Sequence, residues 1–258
     1  MNKLVINRNC CGFFSDFLTA LAGIMYINDN NEKFYVEWYN NRYTNSPNEN
    51  IYNVFFKQPY ELEDIKNVFN NETPYGHYFP DAINTMHSDL DVFKNLKNAS
   101  DTLFKLNITN TPIFNNINKN YFNGFKTLGV QKRGTDHYGH GEILSDSFIL
   151  SCINNEMKSN SYDKVFLITD DENSFKFFQK ELGNMLLYTD STRTSEKIGV
   201  HDLNFSDKNK LAKDVITDSV LLSLTDFKLI TRSNVSTFSL IYNLNEKFKY
   251  IDNHIRYA

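Results

Sequence analysis

The feature that most constrains this chain is the alternation in its second half, where short apolar runs are separated by polar turns and segments of helical periodicity. Strands are expected over 127–133, 164–169, 185–188, 227–231 and 249–252, with helices near 146–157, 172–182, 209–224 and 236–244. Strands that alternate with helices pair in parallel through crossovers, which covers the sheet on both faces. The start of the chain repeats the layout once. A strand over 3–6, a loop over 7–12, a helix over 15–28 and a strand over 33–38 read as the opening of a βαβ unit. In that helix Phe17, Leu18, Leu21, Ala22 and Ile24 share one face, and in the strand Phe34, Val36 and Trp38 alternate. Between about 40 and 123 the chain is polar, aromatic and Asn-rich, with only short apolar clusters at 51–56 and 65–69, so short helices and long loops are expected there. The change in regularity sets a boundary near residue 124, dividing the chain into 1–123 and 124–258.

Composition narrows the class. With 41% hydrophobic and 22% charged residues, the chain is neither a membrane bundle nor wholly disordered. A net charge of −4 argues against a broad footprint for nucleic acid or anionic lipid, though not against a local basic site for a phosphorylated ligand. The three cysteines, Cys10, Cys11 and Cys152, have no metal-ligand spacing and read as reduced thiols. Asp16 interrupts the apolar run over 13–27 and no small-residue cleavage site follows, so a helix of the folded protein is expected rather than a signal peptide. Reduced thiols and no signal together lead to an expected cytoplasmic location.

Ligands of open parallel α/β sheets bind at the carboxyl ends of strands. Three of those ends carry polar clusters. The first runs Gly129-Val130-Gln131-Lys132-Arg133-Gly134-Thr135-Asp136-His137. An arginine at such a place suits a diphosphate, because its fork donates to two oxygens and stays charged at any working pH. An ion pair of Arg133 with Asp136 or another acid is the alternative. The second is Ile168-Thr169-Asp170-Asp171-Glu172, whose acids could bind a divalent metal or a ribose, or cap the following helix. In the third, Thr231-Arg232-Ser233-Asn234-Val235-Ser236, hydroxyls, an amide and backbone N–H groups meet at a helix N-terminus, a ready-made phosphate site unless Ser233 or Asn234 serves only as a cap. His137, His140 and Glu142 follow the arginine where a general base for a hydroxyl acceptor would stand, or are plain loop residues. A zinc site from His137, His140 and Cys152 lacks a recognisable spacing. No P-loop, G-x-S-x-G or G-x-G-x-x-G occurs, which removes the main support for kinase, hydrolase and dehydrogenase readings.

In order and spacing, the runs 129–136, 166–171, 214–223 and 226–236 resemble the nucleotide-binding half of the fucosyltransferase superfamily, in particular its α1,6-fucosyltransferase and nodulation-fucosyltransferase branch. The run Cys10-Cys11-Gly12-Phe13-Phe14-Ser15-Asp16 is similar to that family's glycine-bearing first loop. The resemblance implies an α/β, GT-B-like fold, with two Rossmann-like halves whose parallel sheets face a cleft. It also implies GDP-fucose held mainly by 124–258, a glycan acceptor held by 1–123, inversion at the anomeric centre, and no required metal or cofactor. Arg133 carries over as the diphosphate ligand and Asp170 and Asp171 as the acidic strand end near the nucleotide. Asp218 carries over as the acid on the guanine side, and Ser233, Asn234, Val235 and Ser236 as the polar turn at the phosphates, with Gly12 and Asp136 completing the donor set. Glu142, then His137 or His140, would take the acceptor's proton. Gln131 stands where the family has a histidine and Gly134 where it has a second arginine. These departures keep two alternatives open: another nucleotide sugar as donor, or a module that binds glycan or nucleotide without catalysis.

Overall fold

In a computed structural model the structure describes residues 1–7, 12–29, 32–39, 42–56, 58, 60–69, 94, 97, 121–122, 124–135, 143–244 and 247–252. The chain divides into two compact units, one of Met1–Asn115 with Ser206–Ala212 and Ile255–Ala258, the other of Asn116–Phe205 with Lys213–His254.

The first unit is built on a parallel three-stranded sheet of order β2-β1-β3, with β1 at Asn2–Asn7, β2 at Phe34–Tyr39 and β3 at Asn67–Phe69. Helix α1, Phe13–Asp29, buries Phe13, Phe14, Phe17, Leu18 and Leu21, while β2 alternates so that Phe34, Val36 and Trp38 turn inward. Gly23 lets α1 approach β1 closely, since a Cβ there would stand 2.8 Å from Leu4 Cδ1. Asn50 caps α2, Ile51–Phe55, and its Oδ1 also accepts from the Trp38 amide at 3.0 Å while its Nδ2 donates to the Val36 carbonyl. Gln58 bonds the Val36 amide and carbonyl as well, so side chains satisfy the outer edge of β2. Residues 67–69 fall where loops and short helices were expected; they form a strand instead, because Asn67, Val68 and Phe69 pair in parallel with Asn2, Lys3 and Leu4.

The second unit carries a fully parallel five-stranded sheet of order β6-β5-β4-β7-β8. Its elements are β4 at Thr127–Lys132, α3 at Asp146–Asn160, β5 at Lys164–Thr169, α4 at Glu172–Leu182, β6 at Leu186–Leu187, α5 at Lys208–Ser223 (whose first residues fall in the first unit), β7 at Phe227–Ile230, α6 at Asn234–Tyr242 and β8 at Phe248–Tyr250. Every residue of β4 is buried, as befits the central strand. Leu128 and Val130 pack with Val165 and Leu167 against Ile149 and Ile153 of α3 and Phe178 and Leu182 of α4. Gly129 points the other way. A Cβ on it would stand 2.4 Å from Thr225 Oγ1 and 2.8 Å from Leu222 Cδ1, which places the end of α5 on the opposite face. On that face Ser239 donates to the Ser219 carbonyl and Asn243 to that of Ser223, tying α6 to α5.

The chain enters the sheet at β4, builds outward through β5 to β6, then returns to place β7 and β8 on the other side. The order reverses between β4 and β7, and the crevice outside their carboxyl ends is where such a sheet takes a ligand. Among the described residues no helix is long and apolar enough to cross a membrane. Gly129→Ala is expected to lose about 1–3 kcal/mol of stability by overpacking α5, read as a lower urea midpoint at unchanged slope; an unchanged midpoint would refute the close approach.

Candidate active site

Three residues that follow β4 converge on one carboxylate. Asp170, the first residue beyond β5, accepts from the Gly134 amide through Oδ1 at 2.9 Å and from the Thr135 hydroxyl through Oδ2 at 3.1 Å. The same Oδ2 lies 3.4 Å from Nη1 of Arg133. Gly134 is needed for this approach, because a Cβ there would stand 2.7 Å from Asp171 Cβ and 3.1 Å from Asp170 Oδ1. The position where the resembled family has its second arginine is therefore closed to a side chain here.

Asp171 caps α4, with Oδ1 accepting from the amides of Asn173 at 2.8 Å and Ser174 at 3.3 Å. Its Oδ2 lies 3.9 Å from Nζ of Lys132, which also lies 3.2 Å from Asp146 Oδ1 and donates to the Ser174 hydroxyl. Lys132 is buried, and its charge is shared among these groups beneath the strand ends. Its role was not read from the sequence, where a lysine directly before the strand-end arginine was the available signal.

Across the switch point, Gln131 Oε1 accepts from the Thr231 amide at 3.0 Å and the Thr231 hydroxyl at 2.6 Å, clamping β4 to β7. Beyond Thr231 the chain turns into α6 through a capping box. The Ser233 hydroxyl accepts from the Ser236 amide, and the Ser236 hydroxyl accepts from the Ser233 amide while donating to the Thr231 carbonyl at 2.7 Å. Both hydroxyls are buried and committed to the turn. The amides of Asn234 and Val235 are the donors that the box leaves over at the positive end of the helix.

Asp218 sits on α5 and receives the Thr189 hydroxyl. Burial pushes its carboxyl up to about 6, opposed by hydrogen bonds from Thr189 and Ser191 and by the Arg193 charge. One turn earlier, Asp214 Oδ2 accepts from the amide and hydroxyl of Thr192 at 2.9 and 2.8 Å. Arg193 folds back onto the carbonyls of Thr189 and Ser191 and lies 4.1 Å over the Phe175 ring. Thr194 then donates to the Asp170 carbonyl at 3.0 Å and accepts from the Glu172 amide at 3.0 Å. Residues 189–194 thus lace α5 to the end of β5.

The structure brings Arg133, Asp170 and Asp171 into one cluster, sets the α6 turn at the neighbouring strand end, and links Asp218 to the cluster through 189–194. Gly12 lies in the first unit, where its carbonyl accepts from the Ser15 amide at 2.9 Å at the start of α1. Asp136, His137, His140 and Glu142 lie outside the described residues.

No model of a protein family matches the chain, and no curated protein matches it in sequence. Solved structures match it in fold. NodZ α-1,6-fucosyltransferase soaked with GDP-fucose is 14% identical over 94% of this chain and 93% of its own, with a TM-score of 0.58. NodZ from Bradyrhizobium is 15% identical over 94% and 92% at a TM-score of 0.57, and POFUT1 in complex with GDP is 9% identical over 96% and 97% at 0.52. The chain has the GT-B-like fold of these fucosyltransferases. The fold that the resemblance implied is thereby met.

Two outcomes test the geometry. The unfolded-state pKa of an aspartate is about 3.9, so between about pH 4 and 6 folded Asp218 keeps a proton that the unfolded chain has released. Stability contributed by this group falls as pH rises through that window, by about 3 kcal/mol. Asp218→Asn is expected to remove that part of the slope in urea titrations at pH 4 and 6.5, and parallel wild-type and variant slopes would contradict the burial. Gly134→Ala is expected to lower the melting temperature, with a loss of about 1–3 kcal/mol; an unchanged melting temperature would mean the strand ends are not in contact.

Proposed function

We propose that the chain is a glycosyltransferase that moves fucose from GDP-fucose to a hydroxyl of a glycan acceptor, with inversion at the anomeric carbon. The observation that carries this reading is an arginine and a helix N-terminus at the carboxyl ends of β4 and β7, the two strands flanking the switch point. It is supported by a fold matched along more than nine-tenths of the chain by fucosyltransferases solved with GDP or GDP-fucose. Residues 124–258 take the donor and 1–123 the acceptor.

As the acceptor oxygen bonds to the anomeric carbon, the bond from that carbon to the β-phosphate oxygen breaks and its electron pair stays on GDP. Negative charge grows on the β-phosphate, where Arg133 and the first-turn amides of α6 stabilise it electrostatically. The acceptor proton passes to Glu142, or to His137 or His140 in its place. Asp170 and Asp171 set the strand end and its arginine, and Asp218 stands on the guanine side. Charge neutralisation by Arg133 and the helix makes a metal unnecessary in this mechanism.

The closed position at Gly134 favours one second reading, another nucleotide sugar in the same site, which competition of GDP against UDP and ADP separates from the first. Arg133→Ala leaves Asp170 bonded to Gly134 and Thr135, so it should fold. It is expected to lower kcat/KM at least 100-fold, on the order of 3 kcal/mol of transition-state stabilisation, while wild-type activity persists in EDTA. Turnover by Arg133→Ala close to wild type would sink the assignment.

A further inference from the structure

With residue 134 closed to a side chain and Lys132 buried between acids, Arg133 is the one cation among the described residues that the proposed donor site draws from the end of β4, yet a diphosphate carries more than one negative charge. The neighbouring strand supplies a second. The register sets Leu128 beside Phe227, Gly129 beside Lys228 and Val130 beside Leu229. Beyond the last of these pairs, the Gln131 bond to the Thr231 amide and hydroxyl still holds the two strand ends together, one residue before Arg232. The two arginines thus follow the ends of adjacent strands that flank the switch point, with Arg232 directly before the α6 cap.

Arg232 is held rather than free to sample rotamers. Its guanidinium lies 4.4 Å over the Tyr250 ring, and Nη1 donates to the Asp252 carboxylate at 3.0 Å and to the Asp252 carbonyl. The other carboxylate oxygen of Asp252 accepts from the Arg232 amide at 2.8 Å. Only Nη1 of the fork is used in this way, and no described residue accepts from Nε or Nη2. The side chain remains 20% exposed while Asp252 is buried. An acid behind and an aromatic shelf beneath make a fixed cation whose remaining donors have lost little entropy still to lose on binding.

We propose that Arg232 is the second diphosphate-binding cation of this site, taking with Arg133 and the α6 amides the two phosphates of a nucleoside diphosphate. The proposal rests on the donor being a nucleotide sugar. It assigns to β7 the charge that the resembled signature places at position 134.

Calorimetric titration of the full chain with GDP and with inorganic pyrophosphate tests it, using wild type, Asp252→Asn, Arg232→Lys, and Arg232→Gln combined with Asp252→Asn so that no buried carboxylate is left unpaired. The double variant is expected to bind both ligands at least tenfold more weakly at a melting temperature close to that of Asp252→Asn, and Arg232→Lys to fall between. Affinities of the double variant within twofold of Asp252→Asn would overturn the inference, as would a wild type that binds GDP but is indifferent to Arg232. Binding of pyrophosphate but not GDP, lost in the double variant, would keep the two-arginine site and overturn GDP-fucose as donor. A wild type that binds neither would overturn both.

Discussion

The carboxylate of Asp170 fixes the geometry on which the rest of the site depends. It gathers the Gly134 amide, the Thr135 hydroxyl and the Arg133 guanidinium, three consecutive groups at the end of the central strand, onto two oxygens. Hydrogen bonds to an ionised acceptor are among the stronger ones available. Here they turn a flexible strand end into a defined one. The arrangement tolerates no side chain at 134, so the steric demand of the Asp170–Asp171 corner and the loss of a second arginine are one fact seen from two sides.

Around that corner, polar side chains do the work of joining elements that the backbone ladder leaves unjoined. Gln131 spans β4 and β7, Lys132 joins β4 to the first turns of α3 and α4, and Ser236 returns the α6 turn to Thr231. Each of these groups is buried, so each must be matched or it costs a desolvation penalty. The matching partners are also what hold the strand ends in place. Sheet topology brings the ends of β4, β5 and β7 together, and this network sets where their side chains stand.

The frame of the second unit was legible in the sequence almost to the residue, because buried parallel strands read as apolar runs and few other structures produce that pattern at that spacing. Helix α6 begins at Asn234 rather than 236, since its first turn is polar and its start is set by the Ser233 capping box instead of apolar periodicity. The strand at 67–69 showed only a short apolar cluster with no strand periodicity: Val68 is 60% exposed, and backbone pairing with β1 rather than burial holds it. In the site, the acids that cap or pair could be named from sequence but their choice of partner could not. Gln131 meets Thr231 100 residues away, and Lys132 meets Ser174 42 residues away. No local pattern encodes such pairs.

Burial decides which of the three cations at these strand ends can serve a ligand. Lys132 is 4% exposed and lies between Asp146 and Asp171, so withdrawing it would take the counter-charge from two acids at once. Arg133 is 27% exposed and its pair with Asp170 is long at 3.4 Å. Such partly solvated pairs contribute about 1 kcal/mol or less, and Asp170 keeps two other donors if the guanidinium turns away. Under the proposed function a diphosphate, with more charge and more acceptor oxygens than one carboxylate, competes with Asp170 for that guanidinium. Arg232 differs: its bond to Asp252 uses Nη1, and no described residue accepts from Nε or Nη2, so that bond need not be broken for the rest of the fork to donate.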